Sequence, residues 1–195
     1  YLYIHELVRQ FAARKLGQTS ALQVTAQQQH CEYYLRLLTD WWENSENQRV
    51  ASVLLPELDN IYPAYDWAFN QQNFVLFHGA ILSFMRFHIY AGLNWDGHQQ
   101  VSTYHEKFIK LVEHKPDCID PQRLQEIKTT FSVADGLFLA HLGHFEQAKE
   151  RLAEVEAEIR QYGYWHLMNS VQQMLGCLYE NPSTIDKARY HFEQA

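Results

Sequence analysis

The sequence predicts an all-α chain of antiparallel helix pairs stacked side by side, and three observations support that class. Apolar residues recur at steps of three and four through most of the chain. Five Trp, twelve Tyr and eleven Phe supply bulky packing groups, while eight Gly and five Pro are thinly spread, a balance that suits long helices and disfavours short strands with many turns. Like residues also return at a fixed interval toward the C-terminal end. At 195 residues and 47% apolar content the chain is long enough to bury one sizeable core.

Tyr1 to Ile4 is a short β-prone run. His5 to Leu16 then takes helical spacing, with Leu7, Val8, Phe11 and Ala12 on one side and Gly17 as a C-terminal cap. Thr19 or Ser20 caps a long helix to about Trp42, whose buried stripe is expected at Tyr34, Leu37, Leu38 and Trp41. Glu43 to Gln48 is polar and reads as a loop. The next helix starts near Pro56, whose fixed φ suits a first turn, and turns Leu58, Ile61, Tyr65 and Phe69 inward. Pro63 falls inside it and is expected to bend it.

Phe74 to Tyr90 and Trp95 to His114 form a helical pair joined at Ala91 to Asn94. The first of these is apolar but broken by His78, Arg86 and His88, so it reads as a buried helix and not as a membrane span. Pro116 and Pro121 mark the longest interruption, and a hinge is expected over 115–121. From Leu124, apolar residues step through Ile127, Phe131, Ala134, Phe138 and Leu142, and after Gly143 through Phe145, Ala148, Leu152, Val155 and Ile159. Two amphipathic helices joined by so tight a turn lie antiparallel.

Moved forty positions along itself, the chain pairs Gly136 with Gly176, Leu139 with Tyr179, Phe145 with Ile185, Ala148 with Ala188, Lys149 with Arg189, Leu152 with Phe192 and Val155 with Ala195. A helix pair needs these classes: a small residue where the first helix crosses its partner, a bulky one three positions on, then a small Ala in the second helix. The set Gly136, Gly143, Ala148, Gly176, Tyr179, Ala188 and Phe192 resembles the signature of the tetratricopeptide repeat, which implies a right-handed superhelix of that kind. An offset of forty exceeds the usual repeat of about 34 residues, so longer helices are expected. Gly92 and Gly97 keep the separation of Gly143 and Ala148 and mark a third, degenerate copy.

Two further segments carry a second resemblance. The opening Tyr3-Ile4-His5-Glu6-Leu7-Val8-Arg9-Gln10-Phe11-Ala12 resembles the end of the winged-helix domain in STAND-type (NB-ARC-like) signalling ATPases. These include bacterial transcriptional activators, apoptosis-activating ATPases and plant disease-resistance proteins, where the segment reads Met-His-Asp followed by Leu. Leu55-Pro56-Glu57-Leu58-Asp59-Asn60-Ile61, followed by Ala64 and Asp66-Trp67-Ala68, is similar to the Glu-x-Asp-Asn-hydrophobic and Trp-Ala signature opening the helical-repeat region of the bacterial members. Pro63 departs from that pattern, which has helix formers there.

The resemblance implies that 1–17 is the end of a winged helix, 18–72 linking helices and 73–195 tetratricopeptide-like repeats cut short at the C-terminus. Tyr1 is no initiator Met and Ala195 falls within a running helix, so both ends read as cut from a longer polypeptide. His5 takes the place of the family's His that touches the β-phosphate of bound ADP, with Ile4 for Met and Glu6 for Asp. An imidazole at a helix N-terminus suits an anion; the alternative is that His5 only caps the strand-to-helix turn.

Composition narrows the function classes. The charge of −7 is scattered, with no basic block, which speaks against direct nucleic-acid binding. No stretch approaches the roughly 18 apolar residues of a membrane span, and a signal core is missing at the start. Cys31, Cys118 and Cys177 form no CxxC pair, so small core hydrophobes in a reducing cytoplasm are expected. There is no Gly-x-x-x-x-Gly-Lys-Ser/Thr loop, so no cofactor is expected in this stretch and ATP or ADP belongs to the parent protein by resemblance.

His141 with His144, and His98 with His105, are the nearest metal candidates, but no ligand at suitable spacing completes either, and solvated or core histidines are expected. Glu57 with Asp59, and Glu154, Glu156 and Glu158, are two apart and point in different directions, so the second group reads as an outer charged face. Ser83, Ser102, Ser132 and Ser170 lack a nucleophile's surroundings, so no catalytic residue is expected and the chain reads as no enzyme. Trp41, Trp42, Trp67, Trp95 and Trp165 either line a groove on the first helices of the pairs or pack in the core.

The expected function is a sensor and protein-interaction module of a STAND-type regulator, its repeat surface taking a protein partner or small inducer and the parent protein forming an oligomer. The alternative is a free-standing tetratricopeptide scaffold without a nucleotide link.

Overall fold

The computed structural model describes residue 14 and residues 20–44, 52–115, 118–180 and 185–195, with the backbone alone at Ser20 and at 41–44. Among the described residues the structure is all-helical and contains no strand. The bounded helices are α1 (Ser20–Asn44), α2 (Leu58–Asn70), α3 (Phe74–Tyr90), α4 (Asn94–His114), α5 (Pro121–His141), α6 (Phe145–Tyr162), α7 (Met168–Leu178) and α8 (Ile185–Gln194). Short 3-10 turns, Leu55–Glu57 and Trp165–Leu167, lead into α2 and α7.

Local chemistry sets the ends. Asn73 caps α3 by accepting from the Leu76 N–H at 3.3 Å, and Asp120 caps α5 by accepting from the Arg123 N–H at 3.0 Å, with Pro121 in the first turn where its missing N–H costs nothing. Three connections share one geometry. In each a residue with positive φ follows the helix, Gln72 (55°), Gly92 (73°) or Gly143 (84°). The next N–H then reaches back to the carbonyl five residues earlier, Asn73 to Ala68, Leu93 to His88 and His144 to Leu139. This Schellman closure returns the chain antiparallel after three residues.

The packing runs in order along the chain. α1 packs on α2 and α3, α3 on α2, α4 and α5, α5 on α4, α6 and α7, and α7 on α6 and α8. Each helix pair therefore contacts the pair before it and the pair after it. α1 and α2, placed among linking helices from the sequence, pack on α3 in the same way as the later pairs pack on one another.

The core is densest where α2, α3 and α4 meet. Tyr65 is fully buried, with ring centroids 4.5 Å from Phe77, 4.7 Å from Phe84 and 5.0 Å from Tyr104. Phe77 and Phe108 carry the cluster on to Phe131 of α5. Each buried Phe contributes about 2–3 kcal/mol.

Several details differ from the sequence expectation. Leu38 is buried as expected, but the buried stripe of α1 is Cys31, Leu35 and Leu38, with Tyr34 and Leu37 half-buried, because the face turned to α2 and α3 is rotated by part of a turn toward Leu35. Glu43 and Asn44, read as loop, are the last residues of α1. Leu58 is half-buried, and Phe145 is 54% exposed because it stands at the first position of α6, beyond the reach of α5. Apart from Arg14, which is helical, the helix expected over His5 to Leu16 lies outside the described residues, as do its cap at Gly17, most of the Glu43 to Gln48 loop and the side chains of Trp41 and Trp42.

Glycine substitutions separate close approach from free space. A Cβ at Gly136 would lie 2.7 Å from Leu152 Cδ2, whereas one at Gly79, inside α3, meets nothing within 4 Å. Gly136→Ala is expected to lower unfolding stability by about 1–3 kcal/mol through overpacking, and Gly79→Ala to raise it by up to about 1 kcal/mol, read from urea unfolding midpoints. Equal shifts for the two would contradict the packing. Gln72→Gly relieves a left-handed backbone at a non-glycine residue, so its midpoint should correspond to a gain of about 0.5–1 kcal/mol.

Candidate functional site

The repeat-signature residues fall at helix crossings and turns. Gly136 of α5 lies against Leu152 of α6, and Gly176 of α7 lies against Phe192 of α8, where a Cβ would come within 2.6 Å of the ring. The two contacts span the same number of residues and stand forty apart. Ala148 and Ala188 are buried in the second helices, and Gly143 makes the α5–α6 turn. Gly97 fills the comparable place in α4, where a Cβ would lie 2.6 Å from His88 Cβ and Phe138 Cζ. Tyr179 follows α7 half-buried, stacked on His191 at 5.5 Å, with Lys149 and Lys187 Nζ over its ring at 5.5 and 5.3 Å. His5 lies outside the described residues.

Because α3, α5 and α7 pack in succession, they present one continuous face, and a groove of about 630 Å³ crosses it. Arg86 and Tyr90 line it from α3, Leu137 and His141 from α5, and Asn169, Ser170 and Gln173 from α7. Within each helix the lining residues are three or four apart, so they share a side. Arg86 Nη2 donates to Ser170 Oγ at 2.9 Å and joins α3 to α7 across the groove, while His78 Nε2 and Thr130 Oγ1 meet at 3.0 Å between α3 and α5. Burial depresses the pKa of both Arg86 and His78. A smaller depression of about 320 Å³, bordered by Leu35 and Thr39 of α1 and Val75 and Leu76 of α3, lies on the same succession of helices.

Among the described residues no group of three or more His, Cys, Asp or Glu is placed to hold a metal ion. His141 and His144 are exposed on either side of Gly143. His98 and His105 are not brought together: His98 Nε2 pairs with Asp135 at 2.9 Å, and His105 stacks on Phe131 at 5.0 Å. Glu154 and Glu156 pair with Arg151 and Arg160, and Glu158 accepts from the buried Thr129 at 2.9 Å. Cys31 is a core residue whose thiol donates to Ala64 O, with its pKa pushed up to about 11 chiefly by burial. Cys118 is half-buried and Cys177 is exposed at the groove, so only one of the three is a core hydrophobe. Trp95 and Trp165 are largely exposed and Trp67 is half-buried against the core.

Arg86–Ser170 leaves no signal in the sequence, because a pair 84 residues apart has no local pattern to expose it. His88 was equally hidden. It is fully buried, its Nδ1 donates to Phe84 O at 2.7 Å, and its Nε2 therefore accepts from Tyr62 Oη at 2.9 Å.

Comparison with family models, with curated proteins and with solved structures gives no match.

The His88 environment makes stability depend on pH. Burial lowers its pKa from 6.5 to about 4, so the folded chain holds it neutral while the unfolded chain protonates below 6.5. His78, His105 and His191 are pushed the same way by burial. The contribution is fully present above pH 6.5 and is lost as pH falls toward about 4, by about 3 kcal/mol for His88 alone. Denaturant midpoints from pH 7.5 down to 4.5 should fall steadily; a flat profile would contradict a neutral, buried His88.

Proposed function

We propose that the chain is a tetratricopeptide-like sensor and protein-interaction module of a STAND-type ATP-dependent regulator, in which the odd-numbered helices line the inner face of a right-handed superhelix. The observation that carries the proposal is the groove shared by α3, α5 and α7, the first helices of three consecutive pairs. The order of packing along the chain, the repeated Gly136–Leu152 and Gly176–Phe192 contacts and the matching Gly92 and Gly143 turns within the α3–α4 and α5–α6 pairs favour a repeat stack over an irregular bundle.

A protein segment or small inducer in the groove touches three pairs at once and favours one curvature of the stack. The stretch that resembles the regulator signature also joins helices: Ala64 O accepts from Cys31 of α1, and Asp66 accepts from Tyr104 of α4 at 2.7 Å. A shift among α3, α5 and α7 is thereby passed toward α1 and the winged helix. In the parent protein that shift releases the His5 contact with ADP and frees an oligomerising state.

The test begins with calorimetric titration of the chain with sugars, nucleotides and short peptides. For a ligand that binds, Asn169→Trp with Gln173→Trp, which fills the groove, should weaken affinity at least tenfold while leaving the unfolding midpoint within about 0.5 kcal/mol of the parent. Glu150→Gln on α6 should change neither. Unaltered binding to the filled groove, or no ligand across the panel, counts against the proposal. In the parent polypeptide, His5→Ala should shorten ADP retention; a parent that binds no nucleotide leaves the free-standing scaffold.

A further inference from the structure

Among the described glycines, those inside helices are Gly79, Gly97, Gly136 and Gly176, and the last three are there to admit a side chain from another helix. A Cβ at Gly97 would lie 2.6 Å from Phe138, one at Gly136 2.7 Å from Leu152 and one at Gly176 2.6 Å from Phe192. Gly92, Gly143 and Gly163 stand outside the helices at positive φ. Gly79, inside α3, has neither reason: its φ is not positive, and a Cβ there meets nothing within 4 Å among the described residues. A glycine in a helix interior costs stability relative to alanine, and at Gly79 that cost serves no packing among the described residues.

Gly79 lines the depression of about 320 Å³ between α1 and α3. Leu35 and Leu76 give it apolar sides, and Val75, one turn before Gly79 on the same face, is 70% exposed beside it. Glu32 and Arg36, a turn apart on α1, add one charge of each sign. Glu32 accepts from the neutral Gln28 amide at 2.9 Å, and neither Glu32 nor Arg36 is in an ion pair among the described residues. This depression lies at the N-terminal half of α3 and the groove of Arg86 and Tyr90 at its C-terminal half, so the two are separate.

We infer that the depression is a docking point for an α-helix of a partner protein, which enters it with one bulky apolar side chain, Leu or Phe. Leu152 and Phe192 enter the places beside Gly136 and Gly176 in the same manner. The missing Cβ lets such a side chain reach the backbone of α3, as a ridge enters a groove. Lying along the furrow between α1 and α3, the partner helix sets a second apolar residue on Val75 one turn away. A Lys and a Glu on its other side, one turn apart, meet Glu32 and Arg36.

The test uses a fluorescein-labelled helical peptide of about 18 residues, with Phe at its centre, Leu one turn to either side, and a Lys and a Glu beside them. The control peptide has Ala for the Phe. Anisotropy titration of the whole chain should show binding of the Phe peptide and at least tenfold weaker binding of the control. In amide NMR spectra the Gly79 resonance should shift on binding while that of Gly143 stays in place. Gly79→Ala should weaken binding at least threefold and Gly79→Leu at least tenfold, with urea midpoints no lower than that of the parent, so that lost binding is not lost folding. Glu32→Lys with Arg36→Glu should prefer the peptide whose Lys and Glu are exchanged. Asn169→Trp with Gln173→Trp, which fills the groove, should leave affinity unchanged. Equal binding of the Phe and Ala peptides, no binding, an unmoved Gly79 resonance, full affinity in Gly79→Leu, a lowered midpoint in Gly79→Ala, or a dimer of the chain that dissociates in Gly79→Leu would each overturn the inference.

Discussion

The structure depends on how closely the helices of a pair can approach. Where α6 crosses α5 and α8 crosses α7, the first helix carries Gly136 or Gly176, and a methyl group there would run into Leu152 or Phe192. The same constraint holds α4 in place through Gly97, which admits the Cβ of His88 from α3 and the Phe138 ring from α5. Closeness of this kind is not a gain in itself. It brings the longer side chains around each crossing into contact, and their buried area stabilises the stack. Once each second helix lies flat on its first, the first helices remain free to pack on one another, and the continuous face of α3, α5 and α7 follows.

The turns impose the second condition. A three-residue connection with one left-handed residue allows only an antiparallel return, and it occurs at Gln72, Gly92 and Gly143. Glycine was legible as a turn signal at two of these positions. At Gln72 it was not, because glutamine at positive φ leaves no mark in composition, and that connection could be placed only from the apolar spacing on either side.

How much was legible depended on whether the controlling interaction was local or repeated. The helices from Phe74 to Ile159 follow from apolar spacing, and the Gly136 and Gly176 crossings from the interval of forty, since both are periodic and a period is visible in one dimension. The stripe of α1 was right at Leu38 but rotated by part of a turn from Cys31 and Leu35, because its amphipathic pattern is weak and the choice of face is made by α2 and α3, which a local pattern cannot see. The groove was legible only as a class of surface. Its particular chemistry rests on Arg86 with Ser170 and on His78 with Thr130, pairs that only the stacking of nonadjacent segments brings together.

Histidine shows why residue type alone was a poor guide to site chemistry here. His88 is locked into a neutral tautomer by Phe84 O and Tyr62, His98 is drawn to Asp135 and on to Arg151, and His105 lies flat on Phe131. For each imidazole the neighbouring helix supplies a partner that its own helix does not. A chain in which pairs contact mainly the pairs beside them has one consequence for function: a ligand held by one helix alone perturbs one pair, whereas a ligand held jointly by α3, α5 and α7 couples three. Arg86 already makes a link of this kind by reaching α7 from α3 past the face of α5, and a ligand that competed for its guanidinium would loosen that link while adding its own. Under the proposed function, the groove is where a ligand would act on the relation among three pairs at once.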